Sequence, residues 1–154
     1  MADISIRVAR PADLPRLAQL RAALWPESSA EEHARELSIL LSTTASSSLP
    51  LIHLVAETPD LGIVGFLEAG LRSHADGCDP AHPVGYIEGW YVDEGRRGQG
   101  IGRQLIAAAE AWARSHGCTE MASDALIDNI PSQRAHEALG YQVVDRCVHF
   151  RKLL

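Results

Sequence analysis

The amino-acid sequence predicts an α/β protein of one domain, residues 1–154, with helices on both faces of a mixed central β-sheet. A length of 154 residues suits one core of ordinary size and would leave two domains small. Segments that alternate apolar and polar residues like strands are interleaved with segments whose apolar residues recur at helical spacing. Strand–helix–strand passages after residue 84 imply parallel neighbours, whereas an earlier hairpin implies antiparallel ones.

The first half of the chain contains strand and helix signals in a clear order. Leu14, Leu17 and Leu20 fall at helical spacing, and Trp25-Pro26 ends that helix. The turn "TPDL" separates two apolar runs and predicts a hairpin. The predicted elements are a strand at 3–9, helices at 10–25 and 28–42, a flexible loop at 43–48 ("TTASSS"), and hairpin strands at 50–57 and 62–73.

The second half predicts alternating strands and helices. A turn-rich loop, "HADGCDPAHP", leads into an aromatic and branched segment typical of a strand. Pro131 in a first turn and Gly140 at a C-terminal end bracket the last helix. The predicted elements are strands at 84–94, 118–125 and 141–154, and helices at 101–115 and 129–140.

Composition and charge exclude several classes of protein. The net charge of -6, from 20 acidic and 14 basic residues, argues against a nucleic-acid partner and is compatible with a cationic one. No apolar run approaches the roughly 20 residues of a membrane span, and the first ten residues lack the pattern of a signal peptide, so we expect a cytoplasmic protein. Cys78, Cys118 and Cys147 are far apart, which predicts neither a disulfide framework nor a metal site.

A glycine-rich segment precedes the helix at 101–115. The P-loop pattern requires Lys-Ser or Lys-Thr after its last glycine, whereas Ile101-Gly102 follows Gly100 here. The dinucleotide pattern G-x-G-x-x-G requires a third glycine at the position that Arg103 occupies. What remains is an R-x-x-G-x-G sequence between a strand and a helix, where backbone N–H groups can converge on a pyrophosphate. A glycine-rich turn with solvated arginines is the alternative reading of the same residues.

At these residues the chain resembles the GNAT family of N-acetyltransferases, whose acetyl-CoA signature [QR]-x-x-G-x-[GA] is matched by Arg97, Gly100 and Gly102. The predicted order of strands and helices is also that of the family. Within the family, the chain resembles the bacterial aminoglycoside 6'-N-acetyltransferases in four blocks: "WPE" (25–27), "YIEGWYV" (86–92), "GCTEMASDA" (117–125) and "SQRAHEALGY" (132–141).

The resemblance implies acetyl-CoA as co-substrate, no metal, and direct acetyl transfer in a ternary complex. The thioester is expected in a splay between the fourth and fifth strands, at residues 90–92. The residues that the resemblance assigns to acetyl-CoA are Tyr91, Val92, Arg97, Gly98, Gln99, Gly100, Ile101, Gly102, Arg103, Asn129, Ser132 and His136. From the sequence alone, Asn129 is equally well read as the cap of the last helix.

Three residues are candidates for the chemistry. Glu88 is a carboxylate in an apolar strand, where an unpaired charge is costly, so we expect it to bind the acceptor ammonium and take its proton. Asp124 ends a strand at the edge where open α/β sheets place ligands; it either binds the acceptor, as the resemblance implies, or caps the turn at 125–128. His136 stands where many relatives carry a tyrosine that protonates the CoA thiolate; it either takes that role or lines the CoA channel.

The acceptor implied by the resemblance is a small cationic amine, the 6'-amine of an aminoglycoside, whose acetylation confers antibiotic resistance. Scattered carboxylates and an aromatic edge suit such a polycation. The predicted acceptor residues are Trp25, His33, Asp76, Asp79, Glu88 and Asp124. Two alternatives stay open: an acetyltransferase for another polyamine or a peptide N-terminus, and a non-catalytic acetyl-CoA-binding module. Similar enzymes are often homodimers, and the apolar "VVDRCVHF" favours the same here.

Overall fold

The computed structural model describes residues 3–42 and 49–154 and contains a mixed sheet with helices on both faces. The loop predicted at 43–48 lies outside the described residues. Short 3-10 turns at Pro11–Asp13 and Glu94–Arg96 join longer elements. In chain order these elements are β1 (Ser5–Val8), α1 (Leu14–Leu24), α2 (Ala30–Ser42), β2 (Leu51–Thr58), β3 (Gly62–Arg72), β4 (Val84–Val92), α3 (Ile101–Ser115), β5 (Met121–Ser123) and α4 (Ile130–Ala138).

The sheet follows the order of the chain, β1-β2-β3-β4-β5. The first three pairings are antiparallel, and β4 pairs with β5 in parallel through the α3 crossover. The predicted mixed sheet is therefore confirmed, including its antiparallel hairpin and its parallel end.

Two apolar clusters cover the two faces of the sheet. Neighbouring residues of a strand point to opposite faces, so Val55 and Phe66 join one cluster while Leu54 and Leu67 join the other. The first cluster packs beneath α1 and α2, through residues such as Leu17, Leu20 and Leu37. The second packs beneath α3, through residues such as Leu105, Ile106 and Ala109.

A register shift between β3 and β4 interrupts their ladder. Glu68 pairs with Gly89 and Ala69 with Ile87, so Glu88 is an extra residue in β4. A β-bulge of this kind bends the strand and re-aims the side chain at the bulge. The predicted catalytic residue Glu88 therefore lies at an irregular point of an otherwise buried strand.

The end of the chain differs from the sequence prediction. Residues 142–154 are exposed and have no strand assignment, so the prediction of a final strand at 141–154 is wrong for this chain on its own. The strand predicted at 118–125 shortens to three residues, Met121–Ser123. Alternation of apolar residues indicates the capacity to form a strand, but a strand also needs a neighbouring edge with which to pair.

Within residues 3–42 and 49–154, no helix is both long and apolar enough to span a membrane. In the same described residues, no group of three or more histidine, cysteine, aspartate or glutamate side chains is arranged to hold a metal ion.

Candidate active site

The glycine turn at the start of α3 has the geometry of an anion-binding site. Gly98 and Gly100 adopt positive φ values of 75° and 80°, which residues with a side chain rarely adopt. A Cβ built on either residue meets no atom within 4 Å, so the space above the turn is open. Gly100 is the N-cap of the 15-residue helix α3, whose first N–H groups and positive dipole end therefore face this space.

The side chains around this turn divide into two groups. Arg97 is exposed and fixed to the end of β4, because its Nε donates to the Val92 carbonyl at 2.9 Å. Gln99 and Arg103 are also exposed beside the turn. Ile101, by contrast, is buried in the core, so only its backbone faces the open space.

Gly102 serves helix packing. A Cβ at this position would lie 2.9 Å from a carbon of the Trp90 indole, closer than real contacts allow. The absence of a side chain lets α3 approach β4 at Trp90. Helix packing therefore explains the glycine at this last position of the signature.

The strands β4 and β5 part halfway along β4. Their pairing ends at Ile87 and Ser123, whereas β4 continues to Val92. The Asp93 N–H donates to Val64 on β3, and successive amides of a strand point to opposite edges, so the Val92 N–H points toward the gap. A backbone donor is therefore available where the resemblance predicts the thioester.

Helix α4 lines this gap with His136. Its Nδ1 lies 2.7 Å from the Ser132 carbonyl oxygen and its Nε2 lies 2.8 Å from the Ser123 hydroxyl, so both ring nitrogens have hydrogen-bond partners. Because a carbonyl only accepts, Nδ1 carries a proton. The ring also packs edge-on against Trp90, with centroids 5.2 Å apart. To protonate a thiolate, His136 would have to release one of these hydrogen bonds.

Asn129 caps helix α4. Its side-chain oxygen accepts a hydrogen bond from the Ser132 N–H at 3.2 Å, which is the usual function of an N-cap residue. This capping role, one of the two sequence interpretations of Asn129, is confirmed, and binding of acetyl-CoA by Asn129 and Ser132 stays a prediction.

Glu88 and Asp124 belong to one connected network on the sheet face that carries Tyr86. Arg72 donates from Nε and Nη2 to the two oxygens of Glu88, at 2.9 and 2.8 Å. The guanidinium carbon of Arg72 lies 3.5 Å from the centre of the Tyr86 ring. The Tyr86 hydroxyl donates to Asp124 at 2.8 Å. Burial, followed by this hydrogen bond, raises the pKa of Tyr86, so the phenol stays protonated and connects the two predicted acceptor carboxylates.

A cavity of about 310 Å³ opens beside Glu88. Trp25 lies on its wall, and a Cβ at Gly89 would meet that indole at 2.5 Å, so the ring rests directly on β4. Predicted acceptor residues Trp25 and Glu88 are thus brought together. The remaining residues that line the cavity are Arg21, Glu36, Leu40, Leu51, His53, Glu68 and Ala69.

Four predicted acceptor residues do not line this cavity: Asp124, which bonds to Tyr86 as described above, and His33, Asp76 and Asp79. His33 is buried, and its Nε2 lies 3.1 Å from the Trp25 carbonyl, so it supports Trp25 without lining the cavity. Asp79 accepts from the Ala81 N–H and His82, which lower its pKa in that order, and Asp76 lies 3.7 Å from His74. These loop carboxylates have local partners and are not part of the cavity wall.

The sequence reasoning missed the residues that surround Glu88. Arg72 carries no motif signal, since only the register of β3 and β4 brings it to Glu88. Tyr86 belongs to the block "YIEGWYV", but its contact with Asp124 follows from the pairing of β4 with β5. Glu68 did offer a signal, because it is the one charged residue within the otherwise apolar run at 62–71. Arg21 offered no such signal, since α1 also carries Arg16 and Gln19.

Comparisons with known proteins agree with this geometry. The model of the acetyltransferase (GNAT) family matches residues 14–141. An aminoglycoside N(6')-acetyltransferase type 1 from Stenotrophomonas maltophilia is 39% identical over 96% of this chain and 92% of its own length. The protein of that name from Klebsiella aerogenes is 38% identical over 97% of this chain and 96% of its own length.

Solved structures show the same similarity. The aminoglycoside 6'-N-acetyltransferase AAC(6')-Ih from Acinetobacter baumannii superposes with a TM-score of 0.85 at 31% identity, covering 99% of both chains. AAC(6')-Iy in complex with CoA superposes with a TM-score of 0.87 at 33% identity, and the match covers 99% of this chain and 96% of the AAC(6')-Iy chain. AAC(6')-Iy with the bisubstrate analogue CoA-S-monomethyl-acetylneamine superposes with a TM-score of 0.86 at 32% identity, and the match covers 99% of this chain and all of the other.

Proposed function

Because the chain belongs to the acetyltransferase (GNAT) family, we propose that it transfers the acetyl group of acetyl-CoA to the 6'-amine of aminoglycoside antibiotics and so confers resistance. The observation that carries this proposal is the arrangement around β4. The cavity that Glu88 lines lies on one side, and the gap between β4 and β5 opens farther along the same strand. An amine in the cavity can therefore approach a thioester held in the gap.

The glycine turn and the gap would hold the co-substrate. The open backbone at Gly98 and Gly100, the N-terminus of α3 and the exposed Arg97 offer donors and positive charge for the CoA pyrophosphate. The Val92 N–H, which points into the gap, is placed to donate to the thioester carbonyl and to stabilise negative charge that develops on it. Acetyl-CoA itself supplies an activated acyl group.

Glu88 and Asp124 would bind the acceptor, and Glu88 would take its proton. An ammonium is not a nucleophile, so one proton must leave before its nitrogen attacks the thioester carbon. The new C–N bond then forms, the C–S bond breaks, and the nitrogen loses its second proton. CoA departs as a thiol when its sulfur receives that proton and as a thiolate when solvent receives it. A thiol pKa near about 8.5 makes the thiolate a tolerable leaving group without an obligatory acid. That His136 protonates the thiolate is a separate part of the proposal, and His136→Phe tests it. An essential acid predicts a lower kcat for this variant, whereas activity within a few-fold of the parent would contradict that role.

We propose that the protein is a cytoplasmic homodimer. The exposed residues 142–154 include Val144, Val148 and Phe150, an apolar surface that a second copy would cover. The three cysteines are free thiols, which fits a reducing compartment.

Release of CoA from acetyl-CoA by the purified protein tests the proposed activity with three acceptors. These are kanamycin, a kanamycin analogue with a hydroxyl in place of the 6'-amine, and spermidine. We expect turnover of kanamycin alone. Preference for spermidine, or turnover of the hydroxyl analogue, would contradict the acceptor assignment while leaving acetyl transfer in place.

A further inference from the structure

A row of polar side chains crosses the floor of the cavity beneath α1. His53 on β2 and Glu68 on β3 are register partners, and the next residue in the same row, on β4, is Gly89. Because Gly89 has no side chain, the Trp25 ring occupies the end of the row. Arg21 of α1 contacts this row from above, with its Nη1 3.1 Å from Glu68 Oε1.

These side chains are buried but incompletely hydrogen-bonded. The side chains of Arg21 and Glu68 are only 6% and 9% exposed. Arg21 is held by Glu36, to which its Nη2 donates at 2.8 Å, and by the ion pair with Glu68, whose Oε1 also lies 3.6 Å from His53 Nδ1. Among residues 3–42 and 49–154, no hydrogen-bond or ion-pair partner is found for Arg21 Nε or His53 Nε2. A buried polar group without a hydrogen bond is costly, so two such nitrogens on neighbouring side chains point to a ligand or water that would pair with them.

All three side chains face the cavity that Glu88 lines. Trp25 forms part of the same wall and lies against Arg21, whose guanidinium carbon is 5.1 Å from the indole centre. An apolar ring beside buried charged groups and the unpartnered nitrogens of Arg21 and His53 is the usual composition of a pocket for a small polar molecule.

The donors and acceptors of the row indicate the chemistry of its ligand. Arg21 only donates hydrogen bonds, and Glu68 as a carboxylate only accepts them. A neutral His53 donates from one ring nitrogen and accepts at the other. A hydroxyl group both donates and accepts, so neighbouring hydroxyls of one ring satisfy this mixed set. An ammonium only donates, so it would leave the unpartnered Nε–H of Arg21 without an acceptor, which makes it a poorer fit to this row than a hydroxyl.

We propose that Arg21, His53 and Glu68 bind the ring hydroxyls of the acceptor sugar whose amine lies at Glu88, and that they determine acceptor specificity. This inference rests on the proposed function, because it assigns the remainder of the cavity once Glu88 receives the amine. The three residues act on recognition and take no part in the acetyl transfer itself.

The experiment compares kanamycin with its 3'-deoxy and 4'-deoxy derivatives, which lack single hydroxyls on the ring that bears the 6'-amine. A site that hydrogen-bonds a hydroxyl rejects the analogue without it, so kcat/KM should fall by about ten-fold or more for at least one derivative. His53→Phe and Glu68→Gln should reduce this discrimination toward unity, chiefly by raising the KM for kanamycin. The exposed His116 at the end of α3 provides a matched control, and His116→Phe should keep the discrimination of the parent.

The outcomes separate this inference from the function on which it rests. Absence of kanamycin acetylation by the parent protein would contradict the proposed function. Acetylation of all three compounds within about three-fold would overturn the hydroxyl site alone, leaving the orphaned groups to buried water. Discrimination that both variants retain would also overturn it, because other residues would then recognise the hydroxyls. The discrimination of the parent protein is measured without any variant, so it does not depend on whether Glu68→Gln folds.

Discussion

Glu88 is the residue that the proposed mechanism assigns to the first chemical step, removal of a proton from the acceptor ammonium. The bulge in β4 turns it toward the cavity, where it can accept a proton from an ammonium. We expect Glu88→Gln to lower kcat/KM for kanamycin by about 10²- to 10⁴-fold at neutral pH, the usual contribution of a general base. The loss should be smaller near about pH 10, where amines lose their proton unaided. Steady-state kinetics at both pH values measure this, and an equal loss at both would contradict the base role.

Arg72 orients Glu88 through two parallel hydrogen bonds while stacking on Tyr86. Removing the guanidinium frees the Glu88 side chain to rotate, so Arg72→Ala should raise the KM for the acceptor by about five-fold or more. Arg72→Lys should restore only part of this, because lysine keeps the charge but loses the planar fork. The KM for acetyl-CoA, whose predicted residues lie elsewhere, is the internal control. An equal rise in both KM values would indicate general damage and contradict the orienting role.

At the scale of secondary-structure elements, the turn before α3 should control affinity for acetyl-CoA. Gly100→Ala forces a side chain into a left-handed conformation, which costs about 1–2 kcal/mol and moves the backbone N–H groups. We expect a higher KM for acetyl-CoA with little change in the KM for kanamycin. Gly95→Ala is the matched control, since Gly95 has equally open surroundings but no positive φ. Equal effects of the two substitutions would refute the special role of the turn.

The helices could be predicted from the sequence because their signals are local. Apolar periodicity and caps within each segment located α1 to α4 to within a few residues. The strand predicted for the terminal segment at 141–154 was wrong because its signal is not sufficient locally. Its alternation describes the segment alone, whereas strand formation depends on a free edge elsewhere in the protein or in another copy.

The same distinction applies to the candidate site. The glycine turn was predictable because its residues are contiguous, from Arg97 to Gly102. The neighbours of Glu88 were not, since they follow from the β3–β4 register and its bulge, which bring Arg72 within hydrogen-bond distance. The contact of His33 with Trp25 was equally out of reach, since it follows from the packing of α2 beside the end of α1, and its part in acceptor binding stays a prediction.

For the whole molecule, an ion pair at the start of the chain makes stability depend on pH. Asp13 accepts two hydrogen bonds from Arg7 and one from the Arg10 N–H, and the Arg7 contact is the main cause of its lowered pKa. Its contribution is therefore complete above the unfolded value near 3.8 and is lost as pH falls through the lower folded value. Asp13→Asn should lower the free energy of unfolding at neutral pH by about 1–3 kcal/mol. Urea unfolding of both proteins measures this difference in free energy, which should shrink as the pH falls below about the unfolded pKa of Asp13. A difference that stays constant with pH would contradict the ion-pair origin.

For the proposed homodimer, we expect the contact between the two copies to lie in the exposed segment that follows Tyr141. Tyr141 itself is held to α3, because its hydroxyl donates to Glu110, whereas residues 142–154 leave their apolar side chains uncovered. A chain ending at Tyr141 should therefore keep its fold and its affinity for acetyl-CoA, since the predicted acetyl-CoA residues lie before residue 137. Its mass by light scattering should fall to half that of the full chain. Leu61→Asp, at an exposed apolar residue of the β2–β3 turn, should leave the mass unchanged. An unchanged mass after truncation would place the dimer contact elsewhere or show that the full chain is a monomer.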